Sequence, residues 1–296
     1  MKRITRRELF ERVAKQVDVI VEALPYIKKF YGQTLVIKYG GSAMRQKKLR
    51  EKVIQDLVIL KYVGMNPVVV HGGGKLVSRA MRKKGIEPEF VDGMRVTSSV
   101  VIDIVRDVLV NRVAKNIVAL IKKNEGNAIS LSKKNKNLIG AAKLFMKKGG
   151  RQIDLGFTGR VTRIDTAAIE ATSAKGFIPI ISSIGLGKDG NFYNINADVV
   201  ASAIAEKMEA CKLILLTDVD GVLAKDKKLI SKLRAKDVRR LIRNGTISGG
   251  MIPKVRWGLD ALKGGVEKVH IINGKISHSL ILEIFTNLGI GTMIEV

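Results

Sequence analysis

"NPVVVHGGGKLVSRAM", residues 66–81, decides the fold. Residues 67–70 read as a short buried strand, three glycines follow, and helical apolar spacing begins behind them. A strand, a glycine turn and a helix in that order make half of a βαβ unit, which points to a parallel sheet covered by helices. The stretch is not a P-loop, because that pattern needs glycine where Val69 stands and Ser or Thr where Leu76 stands. Its physics still favours an anion. Glycines let backbone approach a ligand, and a helix start offers unpaired N–H groups at the positive end of its dipole.

Outward from this point the alternation continues. "TLVIKYGG" (34–41) is a strand ending in glycines, followed by helices at 49–63, 75–85 and 99–123 and a strand in "NAISLS" (127–132). Residues 138–165 read as hairpins and 166–175 as a helix. "FIPIISSIG" (177–185), "KLILLTDVDG" (212–221), "VEKVHIING" (266–274) and "GTMIEV" (291–296) are strands, with helices at 198–209, 235–244, 254–263 and 279–288 between them. Ahead of everything, Leu9, Val13, Val17, Ile20, Val21 and Leu24 fall on one face of a helix over 8–30, with a kink or break expected at Pro25. The expected fold is α/β: a three-layer αβα sandwich on a mainly parallel open sheet, in two lobes, plus an N-terminal amphipathic helix. Its expected segments are 1–32 (N-terminal helix), 33–184 (first lobe) and 185–296 (second lobe).

Composition narrows the functional classes. The 296 residues are 46% hydrophobic, ample for a core, and the single Cys211 excludes an intramolecular disulfide and fits a reducing compartment. No apolar run reaches the roughly 20 residues of a membrane span. The basic start "MKRITRREL" lacks the apolar core of a secretion signal. The charge is unusual: 53 Lys+Arg against 27 Asp+Glu gives +26. Nucleic acid is the first partner to weigh, but "RQKKLREK" (45–52), "RAMRKKG" (79–85) and the basic positions of 232–243 lie on separate helices, and aromatics are only 5%. A lysine-rich solvated surface that steers small anions accounts for the charge better, so no nucleic-acid or membrane partner is expected.

Lys38 stands near the carboxyl end of the first strand, where open α/β sheets bind ligands, and a lysine inside an apolar strand needs an anion. "GLGKDG" (185–190) matches a dinucleotide pattern formally, but no helix opens behind it, and it reads as a hairpin turn. In "NINADVVASAIA" (194–205), Asn194, Asn196 and Asp198 crowd a helix start, more polar side chains than capping needs. "SGGMIPK" (248–254) repeats the glycine-turn-then-helix logic with Lys254, and Arg95 in "DGMRVT" (92–97) offers a fork for a carboxylate. The three histidines have no metal-ligand spacing, and neither a Ser-centred elbow nor a Cys–His pair is present. Two lysines, glycine loops, one ordering aspartate and no evident base suit phosphoryl transfer to a carboxylate, an acceptor already ionised at neutral pH.

Taken together, "VIKYGGSAM", "VVVHGGG", "GIEPEFVDGMRVT", "DLGFTG", "YNINADVVA", "LILLTDVDGVL", "ISGGMIPKV" and "FTNLGIGTMI" resemble the amino-acid kinase family, in its acetylglutamate kinase branch, in order from about residue 19 to the end. The resemblance implies that ATP, with Mg²⁺ held mainly by its phosphates, phosphorylates the γ-carboxylate of N-acetyl-L-glutamate in arginine biosynthesis. It implies catalytic roles for Lys38 (transferring phosphoryl), Lys254 (leaving oxygen) and Asp198 (fixing both lysines rather than binding metal). Gly73, Gly74, Arg95 and Asn194 would hold the acceptor, with Arg95 on its α-carboxylate. Gly40, Gly41, Thr217, Asp218, Val219, Gly221, Gly250 and Met251 would meet the nucleotide. The N-terminal helix is similar to that of the arginine-inhibited, hexameric branch, which implies L-arginine near Tyr26, Glu283 and Gly289, a homohexamer interlaced through these helices, a cytoplasmic or organellar setting, and a PII-type regulator as a further partner.

The chain departs from the family's usual pattern at Lys75-Leu76, where Pro-Gln is common, at "SLSKKNK" (130–136), and at Arg160, where an acid is frequent. A kinase for aminoadipate or glutamate attached to an acidic carrier protein is the enzymatic alternative, since it would give the charge a purpose. A nucleic-acid-binding protein on a kinase scaffold comes last, because it predicts loss of Lys38, Asp198 or Lys254.

Overall fold

A computed structural model of the chain describes residues 5–296. Among them, eight strands form one sheet in the order Lys232–Arg234, Thr292–Glu295, Lys268–Asn273, Lys212–Thr217, Thr34–Tyr39, Asn66–His71, Ile178–Ser182, Ala128–Ser130. Six run parallel. Thr292–Glu295 pairs antiparallel with Lys268–Asn273 and parallel with Lys232–Arg234, so this edge runs the other way. The central strands are apolar without alternation because helices cover both faces: Lys212–Thr217 is buried along its whole length. Leu35, Ile37 and Tyr39 face one apolar layer and Val36 the other, the period-two alternation of a strand. Lys38 therefore shares the side of Val36, where the helix Ala197–Lys207 packs through Val200, Ala201 and Ile204.

The expected hairpins fold into a small closed barrel. Ile139–Lys148 pairs with Arg151–Ile164, and Ile184–Gly187 and Phe192–Asn194 complete it. "GLGKDG" is indeed a hairpin turn, its strands antiparallel and its tip tied by Tyr193 Oη donating to Asp189 at 2.6 Å.

Three local readings need correction. The helix at the N-terminus, Arg6–Phe30, continues through Pro25, so of the kink or break expected there the break does not occur. A helix tolerates the lost N–H better where the ring stands on an exposed side, as Pro25 does. The single helix expected over 99–123 carries a wider π-helical turn at Asp107–Val113 between Ser99–Arg106 and Ala114–Lys123. That turn places Leu109 on the wall of the main cavity. In "NAISLS" the strand stops at Ser130, and a short helix, Leu131–Lys134, follows.

The N-terminal helix begins with a capping box: Thr5 Oγ1 accepts from Glu8 N, and Thr5 N donates to Glu8 Oε2. Tyr26, Ile27 and Phe30 pack onto the body. Ile20, Val21 and Leu24 are 69%, 60% and 61% exposed, so this apolar stripe has no cover among the described residues. The side chains of Leu9 and Val13, expected on the same face, lie outside the described residues. No described helix is long and apolar enough to cross a membrane.

Candidate active site

Parallel register aligns the carboxyl ends of the central strands. Lys38 stands beside Leu215 on one side and Val70 on the other, and His71 stands between Tyr39 and Ser182. Chain order reverses at this point, since Thr34–Tyr39 separates Lys212–Thr217 from Asn66–His71, and open α/β sheets form their ligand crevice there.

Asp198 is the centre of the site. Asn196 caps the helix Ala197–Lys207 by accepting from Asp198 N at 2.8 Å, which makes Asp198 the second helical residue and turns its carboxylate toward the strand ends. Lys38 Nζ lies 3.0 Å from Oδ1, an ion pair off the hydrogen-bonding direction. Lys254 Nζ donates to Oδ2 at 2.7 Å. Burial pushes the Asp198 carboxyl up, but the charges of Lys38 and Lys254 outweigh it and hold its pKa below the usual carboxylate range. One ionised carboxylate thus fixes two ammonium groups that would otherwise repel each other.

The glycine loop is braced by a neutral histidine. His71 Nδ1 can only donate to the Gly72 carbonyl (3.2 Å), so its Nε2 accepts from Ser182 Oγ at 3.1 Å. Complete burial drives its pKa down to about 4, so it is uncharged at neutral pH. Arg95 donates through Nη2 to the Gly74 carbonyl (2.8 Å) and Ser78 Oγ (2.9 Å) and lies over the Phe90 ring at 4.6 Å. Burial, then the neighbouring charge of Arg82, lowers its pKa. Thr158 Oγ1 donates to the Arg95 carbonyl at 2.6 Å, and Asn194 Nδ2 donates to Thr97 Oγ1 at 3.3 Å, so the small barrel holds Arg95 and Asn194 against the same opening.

That opening is a cavity of about 600 Å³. Its wall includes Lys38, Gly40, Gly41, Gly73, Gly74, Arg95, Asn194 and Asp198, all singled out in the sequence. Lys254 lies behind the wall and connects to it through Asp198. Thr217, Asp218, Val219, Gly221, Gly250 and Met251 are outside this lining. The first of these begin directly beside Gly41, where a side chain would meet the Asp218 carboxylate, and Gly41 takes a φ of +66° that glycine permits. Thr217 Oγ1 donates to the Val219 carbonyl at 2.7 Å and shapes that turn, while Gly250 precedes the helix Met251–Lys263.

Sequence reading missed Thr158, Ser183 and Trp257, which also line the cavity. Thr158 lies within "DLGFTG" but that motif alone gives it no role, Trp257 sits inside a helix with no local pattern to mark it, and Ser183 follows a strand as an ordinary polar residue. Among the described residues no group of three or more His, Cys, Asp or Glu side chains could hold a metal.

At the base of the N-terminal helix lies a second polar cluster, buried at Glu283, His270 and Lys212 and exposed at Asn287. Tyr26 Oη donates to Asn287 Oδ1 at 2.6 Å, and Gly289 takes a φ of +54°. Glu283 accepts from His270 Nδ1 (2.6 Å) and from Ile290 N (3.0 Å), and His270 Nε2 accepts from Lys212 Nζ at 3.0 Å. Burial lowers the Lys212 pKa to about 8.

With this geometry in view, the relatives are informative. The model of the "Amino acid kinase family" matches residues 33–273. The chain belongs to the amino acid kinase family, in its acetylglutamate kinase branch. The acetylglutamate kinase of Carboxydothermus hydrogenoformans is 47% identical over 96% of this chain and 99% of its own length. That of Symbiobacterium thermophilum is 49% identical over the same shares. Among solved structures, N-acetylglutamate synthase of Neisseria gonorrhoeae, complexed with coenzyme A and N-acetyl-glutamate, superposes with a TM-score of 0.84 at 27% identity. The alignment covers 95% of this chain and 63% of that one, so the synthase is the longer protein. Carbamate kinase of Giardia lamblia, at 17% identity and a TM-score of 0.61, shares the fold. The chain is a kinase, and the mixed α/β architecture is that of its family.

Proposed function

We propose that the chain transfers the γ-phosphoryl group of ATP to the γ-carboxylate of N-acetyl-L-glutamate in arginine biosynthesis. The observation that carries this reading is Asp198 holding Lys38 and Lys254 at 3.0 and 2.7 Å beside a glycine-walled cavity whose other side presents Arg95. A carboxylate oxygen forms a bond to the γ-phosphorus, the bond from that phosphorus to the β–γ bridging oxygen breaks, and ADP departs. No base is required, since the acceptor is already ionised; His71, behind the glycine loop, is buried and neutral. Lys38 neutralises charge on the moving phosphoryl, and Lys254 does so on the leaving oxygen. Backbone N–H groups at Gly40, Gly41, Gly73 and Gly74 line the path, Arg95 and Asn194 hold the acceptor, and the turn 217–221 with Gly250 and Met251 takes the nucleotide.

The Asp198 carboxylate is engaged by both lysines, and among the described residues no group of three or more His, Cys, Asp or Glu side chains could hold a cation. Mg²⁺ fits as an ion carried by the nucleotide phosphates, where it supplies charge neutralisation. L-arginine is the proposed feedback inhibitor, bound near Tyr26, Glu283 and Gly289, and the exposed stripe of the N-terminal helix the proposed joint of a homohexamer. In support, the helix docks through Tyr26 onto Asn287, four residues beyond the buried Glu283, and the gonococcal synthase of the same fold has been solved with L-arginine.

Coupled ADP release tests the reading, with N-acetyl-L-glutamate, free glutamate and 2-aminoadipate as acceptors, each with and without L-arginine. Turnover of the acetylated acceptor alone is expected, and arginine is expected to suppress it. Absence of turnover by folded protein would overturn the assignment.

A further inference from the structure

Thr97 is fully buried and does not line the cavity, yet it is bonded to the residues that hold the proposed acceptor. Its Oγ1 lies 3.1 Å from the Arg95 carbonyl and 3.1 Å from Thr158 Oγ1, and Asn194 Nδ2 reaches it at 3.3 Å. The protons in this knot can be counted. Thr158 gives its single hydroxyl proton to the Arg95 carbonyl at 2.6 Å, the shortest contact of the set. Thr97 gives its own to that carbonyl or to Thr158 Oγ1, both nearer to it than Asn194. The Thr97 oxygen therefore accepts from Asn194, and the Asn194 amide must turn Nδ2 toward it.

That orientation decides what the cavity meets. Nδ2 is held on the buried side, while Asn194 itself lines the cavity. Among the described residues its Oδ1 has no hydrogen-bond partner and is not sealed from solvent, so a carbonyl oxygen is the group left open there. N-acetyl-L-glutamate with both carboxylates ionised carries one hydrogen-bond donor, its amide N–H. The donors of the nucleotide lie elsewhere on the proposed reading, at the turn 217–221 and Met251. The backbone of Thr97 is pinned independently of its hydroxyl. Its N–H donates to the Leu155 carbonyl (3.0 Å), and its own carbonyl accepts from Phe157 N (2.6 Å). Gly156 between them takes a φ of +67° and leaves no room for a side chain against that carbonyl.

We propose that Thr97 is a positioning residue for acceptor choice: its hydroxyl fixes the Asn194 amide with the oxygen toward the cavity, so that the site selects acceptors by an amide N–H. The proposal rests on the reading of Asn194 as a residue that holds the acceptor, and deepens it. Without the hydroxyl the amide is free to present either end. The site then tolerates an acceptor with an oxygen in place of that N–H. The transfer itself is unchanged, since the γ-carboxylate gains the phosphoryl group in both cases.

The test compares N-acetyl-L-glutamate with its ester analogue, (S)-2-acetoxyglutarate, in which oxygen replaces the N–H, by ADP release with the full chain. The parent should favour the amide by about tenfold in kcat/KM, the effect of one hydrogen bond whose loss leaves a lone pair facing a lone pair. In Thr97→Val this ratio should fall below about threefold, through the acceptor KM rather than kcat and with the KM for ATP unchanged. Thr97→Ser, which keeps the hydroxyl, should retain it. A ratio within one enzyme is insensitive to general loss of activity, and Thr97→Ala repeats the measurement without an added methyl if Thr97→Val folds poorly. Retention of the parent ratio in the hydroxyl-free variants overturns the proposal. So does an equal fall in Thr97→Ser, which assigns the effect to packing. Turnover of the amide with no preference over the ester also overturns it and leaves the kinase reading intact. No turnover of either acceptor by the folded parent overturns both.

Discussion

Replacing Asp198 by asparagine removes one charge from the centre of the site at almost constant shape. In the native arrangement its side chain, 6% exposed, meets ammonium groups at 3.0 and 2.7 Å. At an effective dielectric of about 20, each contact is worth roughly 5–6 kcal/mol of gross Coulomb attraction. Desolvation of three ions offsets most of this, and breaking such a buried arrangement costs about 3–5 kcal/mol. Both lysines are partly solvated, with side chains 13% and 24% exposed, so the lower end of that range applies to stability. The catalytic effect is larger in proportion, because asparagine leaves Lys38 and Lys254 repelling each other and free to turn away from the phosphoryl path. Misplacing preorganised charge typically costs about 10²–10³ in kcat. Steady-state ADP release should therefore show kcat falling at least a hundredfold with a much smaller change in KM for the acceptor, and thermal melts should show a folded but less stable protein. A variant that keeps kcat within about threefold of the parent would refute the view that this carboxylate organises the two lysines.

Arg95→Lys should raise the acceptor KM by about tenfold or more with a modest effect on kcat, since an ammonium cannot reproduce a fork anchored on Gly74 and Ser78; equal KM values would remove Arg95 from acceptor binding. His71 has a folded pKa of about 4 against an ordinary 6.5, so its contribution to stability is complete above pH 6.5 and is lost as pH falls toward 4. Up to about 3 kcal/mol is at stake, and a His71→Asn variant should show a flatter dependence of melting temperature on pH between 7 and 5. Parallel curves would discard this account of the loop brace. Ile20→Glu with Leu24→Glu should lower the molar mass measured by light scattering if the exposed stripe joins copies of the chain, while an unchanged mass would free that face of the role.

How much of this was legible in sequence differs from residue to residue. Lys38 could be found because a cation embedded in "TLVIKY" contradicts its surroundings, and the hairpin at "GLGKDG" because no helix follows it. His71 could not be judged in this way, since its protonation depends on burial by elements distant in the chain. The continuous helix at Pro25 and the π turn at Asp107–Val113 also escaped, since backbone alternatives that differ by a few kcal/mol are settled by what packs against them.

The sequence by itself determined the alternation of strands and helices, the glycine turns at strand ends, and the set of residue types able to move a phosphoryl group without a base. These follow from periodicity and from backbone sterics, which act within a few residues. Only the tertiary structure decided that Asp198 stands between Lys38 and Lys254, that Thr97 meets the Asn194 amide, and that the N-terminal helix leaves an apolar stripe uncovered among the described residues. Those facts depend on strand order, on parallel register and on which face of each helix meets the sheet. Local pattern does not encode them, because the same short-range preferences are compatible with many long-range pairings.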